Sequence, residues 1–158
     1  MELFLVRHAI AMDPGPGMAD EARALTAEGR QKFSKVVSGL KSLEIGFDRI
    51  YYSPWLRALE TAEMLHPLLD GESIASVHLA EPPSKALLNS LAGDRVALVG
   101  HQPWLGELLS WLVLGSTEGG SRFRLKKGSV SHLAGEPVPG AMELCAMLPP
   151  ATLRRIEK

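Results

Sequence analysis

Leu3-Phe4-Leu5-Val6-Arg7-His8-Ala9 runs four apolar residues straight into an arginine and a histidine. An apolar run this short, with no polar alternation, predicts a strand covered on both faces, as in a sheet carrying helices on each side. In such sheets the ligand crevice lies beyond the carboxyl ends of the strands, so Arg7 and His8 fall where chemistry is expected. A second run of the same kind, Val96-Ala97-Leu98-Val99-Gly100-His101, again ends in a histidine and leads through Gln102-Pro103 into a helix striped by Trp104, Leu105, Leu108, Leu109 and Leu112.

Between the two runs the pattern alternates. After a Pro/Gly loop, Ala11 to Met18, Thr26 is a candidate N-cap, and Phe33, Val36, Val37 and Leu40 follow at helical spacing. Gly29 in the first turn costs ~1 kcal/mol relative to alanine. Asp48 to Tyr52 predicts a strand. Ser53-Pro54 predicts a helix start, serine as N-cap and proline at the first position, with the helix reaching about Leu69. Ser73 to Leu79 predicts a third strand, and Ser84 to about Leu91 a short helix. Gly115 to Gly120 reads as loose and mobile. Gly128 to Ala134 and Met142 to Leu148 predict two closing strands joined by a Gly/Pro turn, and Pro149-Pro150 opens a short amphipathic tail. The expected architecture is an α/β three-layer sandwich, one domain over residues 1–158, with a mostly parallel sheet and an antiparallel edge.

Composition narrows the function classes. The length of 158 residues suits a single core, and a net charge of -1 gives no support for nucleic-acid binding. No stretch approaches the ~20 apolar residues of a membrane span, and no basic segment precedes an apolar signal core, so a cytoplasmic protein is expected. Cys145 lies in the run Leu144 to Leu148, where a buried, inert thiol is expected.

Four residues carry the chemistry: Arg7 and His8 after the first strand, Arg57 in the first turn of a helix, and His101 after a later strand. An arginine opposing a helix dipole suggests a bound anion. Two guanidiniums present planar forks of donors to phosphate oxygens and spread the charge of a transferring phosphoryl group. A neutral imidazole is a competent nucleophile, provided its second nitrogen donates to a carbonyl or carboxylate that fixes the ring. His8 is expected to take the phosphoryl group and water to release it; His101, if protonated, would add a positive donor to the equatorial oxygens. No metal-ligand spacing occurs, and neither metal nor cofactor is required.

These segments resemble the motifs of the histidine phosphatase superfamily, which has a phosphoglycerate-mutase-like fold. Leu5 to Ala9 is similar to its first signature, Ser53-Pro54-Trp55-Leu56-Arg57-Ala58-Leu59-Glu60-Thr61-Ala62 to its second, and Val99 to Pro103 to its third. Asp20 to Gly29 and Lys126 to Val130 resemble segments of the SixA branch, the phosphohistidine phosphatases. The resemblance implies that His8 is the phosphoryl acceptor and that Arg7, Arg57 and His101 hold the phosphate, with phosphate or vanadate as pocket ligands. It also implicates Arg23 and Gln102 in substrate binding. Arg23 either reaches the phosphate or anchors the loop.

The chain departs from larger relatives in lacking room for the inserted segment that supplies an acid to the leaving oxygen. Glu81, after the third strand, is the substitute, with Asp13 in the loop as its rival. A missing acid fits a leaving group that departs already protonated, as the imidazole of phosphohistidine does. The expected activity is a phosphatase acting on a phosphohistidine-bearing signalling protein. The alternatives are a small-molecule phosphomonoesterase and a non-catalytic phosphate-binding module. A mutase is disfavoured because few loops enclose the site. A monomer is expected, and the basic run Arg122, Arg124, Lys126 and Lys127 reads as a solvated face that also suits an acidic partner.

Overall fold

Leu3, Phe4, Leu5 and Val6 are all at most 1% exposed, at the centre of β1 (Glu2–Arg7). That burial follows from the strand's neighbours. In this computed structural model, which describes residues 1–156, β1 pairs in parallel with β4 (Arg95–Gly100) and antiparallel with β5 (Val130–Gly135). Glu157 and Lys158, the end of the expected tail, lie outside the described residues. With β2 (Phe47–Tyr52), β3 (Leu69–Ala75) and β6 (Met142–Leu148), the sheet runs β3-β2-β4-β1-β5-β6. The first four of these strands are mutually parallel, and β5 and β6 form the antiparallel edge.

Side chains alternate across β1 and split the core in two. Phe4 and Val6 pack with Phe33, Val36 and Leu40 of α1 (Ala27–Ser42), Ala58 and Ala62 of α2 (Leu56–Met64), and Leu153 of α5 (Pro150–Leu153). Leu3 and Leu5 pack with Leu87 and Leu88 of α3 (Lys85–Ser90) and with Leu105, Leu108, Leu109 and Leu112 of α4 (Trp104–Leu114). Helices therefore cover both faces, which is the three-layer arrangement the apolar runs predict. No described helix is long and apolar enough to cross a membrane.

Several elements differ from the expectations. α2 stops at Met64 rather than near Leu69 because Pro67 cannot continue a helix, and a 3-10 turn over His66–Leu68 follows. β3 begins four residues earlier than the apolar pattern suggests and ends at Ala75, while Val77–Ala80 form a 3-10 turn. It is an edge strand carrying Asp70, Gly71 and Glu72 toward solvent, so it lacks an apolar run. The segment read as loose and mobile, Gly115 to Gly120, runs into a 3-10 turn over Thr117–Arg122 packed against α4; a Cβ on Gly120 would lie 2.7 Å from the Glu107 backbone. Cys145 is exposed rather than buried, because β6 is the other edge strand and turns Glu143 and Cys145 outward.

Candidate phosphoryl-transfer site

Parallel pairing aligns the carboxyl ends of three strands. Arg7 is level with Gly100, and Tyr52 with Val99, so His8, Ser53 and His101 each stand one residue past a strand end. The His8 N–H donates to the Gly100 carbonyl (3.1 Å) and the Ser53 N–H to the Val99 carbonyl (3.0 Å), which carries the registry into the loops. The antiparallel strand β5 starts at the same end. The Arg7 N–H donates to the Ser129 carbonyl at 3.1 Å, and the Gly128 N–H to the Arg7 carbonyl at 3.0 Å.

His8 and His101 are 5% and 3% exposed, with ring centroids 5.3 Å apart. The His8 Nδ1 lies 2.7 Å from the Ala9 carbonyl oxygen. A carbonyl only accepts, so Nδ1 carries the proton and Nε2 keeps its lone pair. Burial, above all, pushes the His8 pKa down to about 3; the nearby His101, Arg57 and Arg7 add to this, against the Ala9 hydrogen bond. His8 is therefore neutral at pH 7, as a nucleophile requires.

The protonation that would make His101 a positive donor is absent before an anion arrives. Burial first, then Arg57, lowers its pKa to about 4, with Asp20 opposing, so the imidazole is neutral in the unliganded protein. An arriving dianion acts in the opposite direction and favours protonation. His101 Nε2 is held at 2.8 Å from the Ser53 hydroxyl, which also accepts from the Trp55 N–H at 3.3 Å. Ser53 thus orients an imidazole instead of capping α2. The N-cap position belongs to Trp55, with no side-chain cap.

Arg57 is 5% exposed in the first turn of α2, its Cζ 4.9 Å from the centroid of the Trp55 ring. Its Nη1 donates to the Asp20 carbonyl (2.7 Å) and its Nη2 to the Asp20 carboxylate (3.1 Å). Asp20 also accepts from Arg23 (2.9 Å); that bond first, and Arg57 after it, hold its carboxyl below the usual carboxylate range. Arg7 donates Nη1 to the Leu125 carbonyl at 2.7 Å. Arg7 Nε, Arg57 Nε and His101 Nδ1 are all buried without a hydrogen-bond partner in the protein. Three buried nitrogens left unpaired around one imidazole make a cluster suited to an oxyanion, since unpaired buried polar atoms are costly.

The structure brings Arg7, His8, Arg57 and His101 together. Arg23 donates Nε to the Met12 carbonyl (2.6 Å) and pairs with Asp20, so of its two possible parts it holds the loop. Gln102 uses its side-chain oxygen to accept from the Gly106 N–H at 2.8 Å, inside the first turn of α4. Glu81 is bound to His78 Nδ1 at 2.7 Å, half-exposed, and lines one hollow with His101 and Trp104. Asp13 is exposed on the loop and forms no salt bridge among the described residues. The sequence reading passed over Asp20, whose motif was in view, and the supporting parts of Thr61 and Glu60. Thr61 Oγ1 donates to the Arg57 carbonyl (2.7 Å) and accepts from the Ala9 N–H (3.0 Å), tying α2 to the loop after β1. Glu60 accepts from the Leu25 N–H (2.7 Å) and pairs with Arg30 (2.8 Å). The signal for both was their place one turn from Arg57, at i+3 and i+4 on the same helix. No group of three or more potential metal ligands occurs among the described residues.

Fold and site together define an α/β protein with a neutral histidine and two arginines at the carboxyl ends of parallel strands. Residues 3–82 match the histidine phosphatase superfamily (branch 1). The phosphohistidine phosphatase SixA of Escherichia coli is 30% identical over 127 residues, covering 74% of this chain and 77% of that protein. An uncharacterized protein of Picosynechococcus is 34% identical over 142 residues, 84% of each chain. The structure of a protein histidine phosphatase SixA complexed with tungstate superposes with a TM-score of 0.79 at 22% identity, covering 97% of this chain and 99% of that one. The chain belongs to the histidine phosphatase superfamily, in its SixA-type branch, and is a phosphatase with the phosphoglycerate-mutase-like fold.

Proposed function

We propose that this phosphatase hydrolyses phosphohistidine on a signalling protein, without a metal, through a phosphoryl group carried transiently on His8. The observation that carries the reading is the Nδ1–H of His8 fixed on the Ala9 carbonyl, which leaves Nε2 free among Arg7, Arg57 and His101. In the first step the Nε2 lone pair forms a bond to phosphorus as the bond from phosphorus to the substrate imidazole breaks. That imidazole leaves neutral: its other ring nitrogen already carries a proton, and the departing nitrogen keeps the electron pair of the broken bond. Arg7, Arg57 and His101 take up the charge on the equatorial oxygens. In the second step water attacks phosphorus, the bond to Nε2 breaks, the water proton passes to a phosphate oxygen, and neutral His8 is restored. That a SixA relative of the same fold is found complexed with tungstate, an oxyanion, supports the reading.

The environment of Glu81 supports phosphohistidine over an alcohol ester. An alkoxide leaving group needs a proton delivered as it departs, whereas Glu81 is engaged by His78. A second reading, a small-molecule phosphomonoesterase, draws on the same residue, because Glu81 does border the hollow shared with His101. A substrate panel in EDTA separates them: a phosphohistidine protein, an aryl phosphate and a sugar phosphate, compared by kcat/KM. The proposal expects phosphohistidine to be preferred and EDTA to have no effect. Preference for the sugar or aryl ester supports the second reading, and phosphate binding with no turnover on any substrate supports a non-catalytic binding module.

A further inference from the structure

On the sheet face covered by α3 and α4, β1 presents Leu3 and Leu5, and β4 presents Val96 and Leu98. β5 opposes Leu3 with Leu133 but opposes Leu5 with Ser131, and Ser129 lies two residues earlier. A polar patch thus interrupts an otherwise aliphatic face. Ser129 is 5% and Ser131 1% exposed, and neither hydroxyl has a hydrogen-bond partner in the protein. A buried hydroxyl left unpaired is destabilising, a cost alanine at either position would not carry.

Both serines line a cavity of about 240 Å³. Leu125, Met147 and Pro149 give it apolar walls, and the exposed cations Arg124 and Lys126 line it as well. A β-bulge between His132 and Leu133 shifts the register of β6 here, so that Met147 stands opposite Ser131 while Leu144 pairs with Leu133 in the core. None of Arg7, His8, Arg57 or His101 lines the cavity. It is nevertheless tied to them, because Leu125 receives the Arg7 guanidinium on its carbonyl.

Two hydroxyl donors, two cations and apolar walls around a space near the small end of ligand pockets select one kind of occupant. We propose that this cavity is a second binding site, for a small organic anion with a phosphate or carboxylate head on a short apolar body. The head is held by Ser129, Ser131, Arg124 and Lys126, and the body lies against Leu125, Met147 and Pro149. The two arginine- and lysine-bearing positions account for half of the basic run that the phosphoryl-transfer site does not use.

The test is an amide NMR titration of the full chain at pH 7 with phenylphosphonate, benzoate and inorganic phosphate in separate arms. Phenylphosphonate or benzoate is expected to move the Leu125, Ser129 and Ser131 amides saturably, with an affinity distinct from that seen at Gly100 and His101. The tighter of the two arms identifies the head. Lys126→Ala, a change at an exposed side chain, is expected to weaken this binding about fivefold while leaving the Gly100 response unchanged. Ser131→Val is expected to abolish it. Inorganic phosphate binding as tightly as phenylphosphonate would overturn the assignment of an apolar body. Absence of saturable movement at these amides in every arm, or binding that survives Lys126→Ala at full affinity, would overturn the site itself.

Discussion

His8 keeps its proton on the nitrogen that faces the Ala9 carbonyl, and this one hydrogen bond leaves Nε2 as the nitrogen with the lone pair. The same burial that shields the ring from water keeps it uncharged: its pKa falls to about 3. Imidazole ¹⁵N spectra of the unliganded protein should show the Nδ1–H tautomer at pH 7 and no protonation midpoint for His8 above pH 5. A midpoint near 6.5, the ordinary histidine value, would contradict the buried site. Thr61 has a comparable influence without touching the pocket, since its hydroxyl satisfies both the Ala9 N–H and the Arg57 carbonyl. Thr61→Val strands the buried Ala9 N–H, while the Arg57 carbonyl keeps its helical partner, and should destabilise the protein by about 1–3 kcal/mol in denaturant unfolding. A change below the error of that measurement would show that water replaces the hydroxyl at no cost.

At the level of elements, Gly29 shows how sequence and packing interlock. Thr26 caps α1 by accepting from the Gly29 N–H at 2.8 Å, and the turn sits so close to the loop after β1 that a Cβ on Gly29 would collide with the Ile10 carbonyl. Helix propensity alone favours Gly29→Ala by ~1 kcal/mol. Overpacking against backbone reverses that sign, and the variant should lose about 1–3 kcal/mol, seen as a lower Tm. A stabilised variant would mean that the loop yields. Strands and helices whose side chains are buried were readable from the chain: β1 and β4 by their apolar runs, α1 and α4 by their stripes, the antiparallel edge by its short turn. β3 was harder, because this edge strand shows solvent a polar run and so lacks the pattern that marks a central one, whereas β6 was placed correctly and only the exposure of Cys145 on it was missed. The site was legible where residue type implies charge, at Arg7, His8, Arg57 and His101. It was illegible where a side chain serves another: Ser53 reads locally as a helix cap, and only the register of β2 against β4 brings it to His101.

For the whole molecule, two buried neutral histidines make stability depend on pH. The folded pKa values of His8 and His101, about 3 and about 4, lie below the ~6.5 of an unfolded chain, so the unfolded state binds more protons between these limits. Stability is then fully present above pH 6.5 and falls on acidification toward pH 4, with His8 alone accounting for about 2 kcal/mol between pH 6.5 and 5. His8→Asn should remove about half of the histidine-linked slope over that window in phosphate-free buffer, His101 keeping the rest; an unchanged slope would show that His8 is not buried as a neutral ring. The whole arrangement, from parallel strand ends to paired arginines, is proposed to hold one phosphoryl group on one nitrogen. Rapid quenching of the protein during turnover of a ³²P-labelled phosphohistidine substrate tests this most directly. The account predicts an acid-labile, base-stable label on His8, bonded to Nε2. A label on any other residue, or turnover with no covalent label at any quench time, would contradict it.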